Sequence, residues 1–131
     1  MVLAISAVMP AMAAASGSVP LMPSTRAFPN QPACVAELEL LHKLERAEVT
    51  DGRVRRSDGT TRQVKLETDG LRDNGRGATL YASRIWHHHG WPDAASGKLK
   101  LSHSYRERQR MCAAGTLSES GRDGFTQHTF E

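Results

Sequence analysis

Between Pro32 and Glu48 the apolar residues recur at helical spacing. At about 100° per residue, Cys34, Val35, Leu38, Leu41 and Leu44 fall on one face, with Leu40 at its edge. Glu39, Lys43, Arg46 and Ala47 lie opposite, while Glu37 and Glu45 intrude on the apolar side near its two ends. Asn30 is placed to cap this helix, with Pro32 in its first turn, where a missing N–H costs little. Cys34 then faces the core from the first turn.

After residue 49 the pattern changes to short alternating runs separated by turn signals. Ser57-Asp58-Gly59-Thr60 marks a hairpin. Pairing Val54 with Val64 keeps its apolar residues on one face and puts Arg53, Arg55, Gln63 and Lys65 on the other. Residues 69–77, rich in glycine, read as a loop. From residue 78 a strand sets Leu80, Ala82 and Trp86 on one face, with Tyr81 and Ile85 on the other. The next strand alternates most clearly. Leu99, Leu101, His103 and Tyr105 share one face, and Lys98, Lys100, Ser102, Ser104, Arg106, Arg108 and Arg110 share the other. A last strand is expected near Phe125 to Phe130.

This pattern predicts an α+β fold, with one N-terminal amphipathic helix packed on an antiparallel meander of four to five strands. The helix is expected on the leucine side. A loop over 90–97 pairs Trp86 with Leu101, His87 with Lys100 and His89 with Lys98. Leu80, Ala82 and Trp86 then join Leu99, Leu101 and His103 on the core face. Strict alternation puts Cys112 on the polar face, away from the helix. A bond between Cys112 and Cys34 therefore requires the strand to end or bulge after Tyr105.

The chain has 131 residues, 39% of them hydrophobic, which allows one domain with a small core. Arg26 is the first charged residue. Val2 to Met9 is an apolar run of signal-peptide length, and Ala11-Met12-Ala13 fits a small-residue cleavage pattern, although no Lys or Arg precedes the run. Residues 1–15 therefore read as a signal peptide, 16–31 as a flexible linker, and 32–131 as the domain. The apolar run is too short for a membrane span and Pro10 interrupts it. For an exported chain, the two cysteines predict a Cys34–Cys112 disulfide. A periplasmic or secreted location follows.

The net charge is +3. In a cytosolic protein this balance points to nucleic acid. For an exported one it points to an anionic envelope component or an acidic protein. The sequence holds no nucleophile elbow, zinc-protease helix or phosphate-binding loop, so binding is expected rather than catalysis. The candidate contacts are Trp86, Trp91, Lys98, Lys100, Arg106, Arg108 and Arg110. One alternative is a divalent-metal site built on His87 and His89, with His103, Asp93 or His128 as a third ligand. Another is a small hydrolase assembled from residues distant in sequence. Arg84 and Glu107 are expected to form an ion pair, and His103 and Glu107 are weighed as an acid–base couple.

Overall fold

The computed structural model describes residues 16–131, so the expected signal peptide lies outside them. Helix α1 spans Gln31–Glu48, where the apolar spacing places it. The Asn30 side chain accepts the Ala33 N–H at 2.9 Å and caps it. Six strands form one antiparallel sheet: β1 (Gly17–Ala27), β2 (Val54–Arg55), β3 (Thr61–Asp73), β4 (Ala78–Pro92), β5 (Leu99–Ala113) and β6 (Thr116–Phe130). Their order is β1-β6-β5-β4-β3-β2.

Three expectations change here. The sheet has six strands rather than four or five. Residues 16–31 are not a flexible linker, because β1 pairs with β6 from Gly17 opposite Phe125 to Ala27 opposite Thr116. The helix is accordingly the second element of the described chain and not the first. The segment 17–27 lacks apolar alternation. Its strand state comes from the backbone partners that β6 offers, not from its own propensity.

The helix packs on the face opposite to the expected one. Cys34, Leu38, Tyr81, Cys112 and Leu117 form the core, with Phe28, Val35, Leu41 and Leu71 against them. Ile85 and Val64, fully buried, lie on this same side of the sheet. The disulfide Cys34–Cys112 forms with a Cα separation of 5.9 Å. No bulge is needed, since β4 and β5 pair without interruption from Ala78 opposite Ala113 to Pro92 opposite Leu99. The alternation of Leu99, Leu101, His103 and Tyr105 instead marks the open face, where these residues are half-buried.

Helix burial is rotated to match. Leu44 is 53% exposed, whereas Glu45 is 4% exposed. Glu45 faces the sheet because the sheet beneath it is basic. Its carboxylate accepts the Tyr81 hydroxyl at 2.5 Å and the Arg110 guanidinium at 3.2 Å. Burial and the neighbouring Glu45 push the Tyr81 phenol well above its usual range. Both charged partners are thus paired where they leave water.

Both hairpin registers also differ from expectation. Val54 lies opposite Arg62, not Val64. The turn is centred on Asp58, whose carboxylate accepts the Thr60 N–H, and Gly59 takes φ +88°, which a side chain would resist. Between β4 and β5 the loop runs over 93–98, with Asp93 N–H bonded to the Lys98 carbonyl and the Asp93 carboxylate bonded to Ser96. Trp86 therefore faces Tyr105 instead of Leu101, and His88 faces His103.

Candidate functional site on the open sheet face

The open face carries a continuous row of aromatic and charged side chains. At one end the Arg84 Nη2 donates to Glu107 at 2.9 Å, the pair expected from the sequence. The same guanidinium lies 5.3 Å from the Tyr105 ring centre and 5.9 Å from that of Trp86. The Trp86 indole N–H donates to Glu67 at 2.7 Å. Tyr105 lies across β6 because residue 124 is glycine. A Cβ at Gly124 would overlap the Tyr105 ring.

Trp86 stacks on His88, with ring centres 5.8 Å apart and planes at 7°. His88 then meets His103 across the strand pair, Nδ1 to Nδ1 at 2.7 Å. One of these nitrogens must donate and the other accept. The far nitrogen of His103 lies 3.3 Å from the Thr129 hydroxyl. His103 thus contacts His88, and no bond joins it to Glu107 as the acid–base reading required.

Beside the histidine pair is a pocket of about 200 Å³ lined by Arg53, Thr61, Gln63, Lys65, Leu101 and the two histidines. Its lining has no carboxylate. Glu131 is held by the lining residue Arg53 through both of its oxygens. Lys65 is exposed, and among the described residues it makes no ion pair. Burial holds the His88 imidazole below its usual value, and His103, Lys65, His87 and His89 push it further the same way.

The residues singled out in the sequence do not gather on one surface. Arg106, Arg108 and Arg110 are not a free basic face. Arg106 pairs with Glu48 at 3.1 Å, Arg108 with Asp123 at 2.7 Å, and Arg110 with Glu45 and Glu119 at 3.2 and 2.7 Å. Strand parity puts all three on the helix side, where the helix and β6 supply the carboxylates. Trp86 and Trp91 are an odd number of residues apart on one strand and project to opposite faces. Trp91 packs against His128, and the Lys100 ammonium lies 5.8 Å from its ring centre. Lys98 is exposed in the β4–β5 loop.

His87 and His89 lie on the helix side, their ring centres 6.4 Å apart. Burial holds His87 below its usual value. None of the expected third ligands joins them: His103 is on the open face, Asp93 is bonded to Ser96, and His128 stands against Trp91. Among the described residues no group of three or more His, Cys, Asp or Glu is arranged to hold a metal ion.

The convergence of Gln63, Lys65, His88 and His103 was missed in the sequence. It depends on the β4–β5 register, and the available signal was Asp93 with Ser96. Their hydrogen bonds belong to a loop that begins at residue 93, three residues later than the glycine at 90 suggests. Among the described residues no helix is long and apolar enough to cross a membrane. In comparisons with known proteins, no family model, curated sequence or solved structure matches the chain.

Proposed function

We propose that this is an exported binding protein that holds an anionic group of an envelope component on the open face of its sheet. The observation that carries this reading is the pocket beside His88 and His103, which is lined by cations and polar donors and by no carboxylate. Trp86 and Tyr105 extend it as an aromatic platform, and aromatic residues anchor many binding surfaces. The disulfide and the lack of a membrane-crossing helix among the described residues agree with an exported chain.

An envelope anion fits better than an acidic side chain. A carboxylate has two oxygens, and a few donors satisfy it. This pocket gathers the Lys65 ammonium, two imidazoles, the Gln63 amide and the Thr61 hydroxyl, with the Arg53 guanidinium beside them already held by Glu131. Such a set suits a group with more oxygens.

Cosedimentation tests the reading, using vesicles of neutral phospholipid with and without an anionic phospholipid. The protein should bind only the anionic vesicles and release as salt rises. Lys65→Glu should abolish that binding, and Lys98→Glu, outside the pocket, should change it little. Equal binding to neutral vesicles, or full binding by the Lys65→Glu protein, would overturn it.

A further inference from the structure

We infer that the His88–His103 pair makes this pocket a proton-linked receptor for a phosphoryl or sulfate-type oxyanion, which takes up a proton as the anion enters. The inference rests on the binding reading above and deepens it.

The geometry of the pair supplies the coupling. With Nδ1 facing Nδ1 at 2.7 Å, one ring must offer a lone pair there. The contact survives when both rings are neutral. It also survives when one ring is charged, since the charged ring donates to the neutral one. It does not survive when both are charged, because two N–H groups would then point at each other. A second proton therefore separates the rings and leaves two N–H donors in need of an acceptor at the edge of the pocket that both histidines line. Only an anion compensates that state. Proton and oxyanion each stabilise the other's binding, as linkage requires.

The neighbouring groups oppose protonation of the empty pocket. From β3, Lys65 lines the same pocket, with Gln63 directly opposite His88. Arg53 enters from the segment before β2, already held by Glu131. On β4, Trp86 stacks on His88, while His87 and His89 lie on the far side. On β5, Tyr105 packs against Trp86 rather than offering a charge. On β6, Thr129 meets His103. Glu67 is engaged by Trp86 and Arg84. The pocket itself thus holds no anion to stabilise an imidazolium, and the ligand would be the first.

Calorimetric titration with inorganic sulfate tests this. Sulfate carries no proton near neutral pH, so any proton taken up belongs to the protein. Titration in two buffers of different ionisation enthalpy should show uptake of about one to two protons per site, one for each ring that the anion charges, and affinity should fall about tenfold per pH unit of rise for each proton taken up. His88→Gln and His103→Gln each keep a polar side chain and should remove the uptake. The intact disulfide and a cooperative melt show whether each variant is folded, and either one suffices. His87→Gln, on the other face, should leave the uptake unchanged. Lys65→Ala should weaken sulfate while keeping the uptake. Inorganic phosphate added to vesicle-bound protein distinguishes the sources: displacement at low concentration points to free phosphate, and resistance points to a lipid headgroup.

Sulfate binding that depends on Lys65 but takes up no proton would overturn the inference and leave the binding reading standing. So would anionic-vesicle binding through Lys65 with no sulfate binding at all. Failure of both ligands would overturn both.

Discussion

Arg110 and Glu45 meet between the sheet and the helix, with Nη2 and Oε2 3.2 Å apart and each side chain 5% exposed. This pair explains why the helix lies on the basic face of β5. Glu119 takes the Arg110 Nε on the other side at 2.7 Å, and Ser83 and Tyr81 complete the surroundings. Arg110→Met leaves Glu119 without its cation and the buried Glu45 with only the Arg106 guanidinium at 4.0 Å. It should destabilise the protein by about 3–5 kcal/mol, measured by urea unfolding. Replacing Glu45 with Gln as well should recover part of the loss. An unchanged midpoint for Arg110→Met would show that the ion pair does not hold the helix.

Cys34 and Cys112 close a chain separation of 78 residues. Denatured-chain entropy alone makes such a staple worth about 4 kcal/mol. The core it joins is small, so reduction should remove most of the folding free energy and lower the urea midpoint accordingly. Mass analysis under non-reducing conditions should find no free thiol.

Gly124→Ala tests the open-face platform without touching the pocket lining. The added methyl group overlaps the Tyr105 ring. Displacing that ring should cost about 1–3 kcal/mol. It should also change the fluorescence of Trp86, whose ring centre is 5.1 Å from that of Tyr105.

Stability should fall in mild acid. His87 and His88 both titrate below the ordinary imidazole value of 6.5, chiefly because they are buried. The unfolded chain therefore binds their protons more readily, and stability rises with pH between the lowered values and 6.5. It is complete above 6.5 and lost as pH falls through that window. Urea midpoints at about pH 7.5 and about pH 5.5 measure it. Replacing both histidines with Gln should flatten the difference, and sulfate should offset it in the wild-type protein by stabilising the protonated pocket.

Several features were determined by the sequence itself. The helix is set by its own spacing and by the Asn30 cap, both local. Strand faces on β4 and β5 follow from a period of two, and the expected register, though displaced, keeps the same residues together. The cysteines have one pairing within the chain. Arg84 and Glu107 meet as expected because their strand parity matches.

Tertiary structure decided the rest, because local patterns do not say which face a helix covers. The half-apolar face with Leu99 and Leu101 looked like the core. Tyr81, Ile85 and Cys112 make the other face the core once Glu45 and Glu48 neutralise its arginines. That exchange of partners between distant segments also turns the basic stripe into an internal ion network. The meeting of His88 with His103 depends on a loop closed by Asp93, and a displacement of a few residues moves every cross-strand pair. The sheet edge β1 forms because β6 is there to receive it.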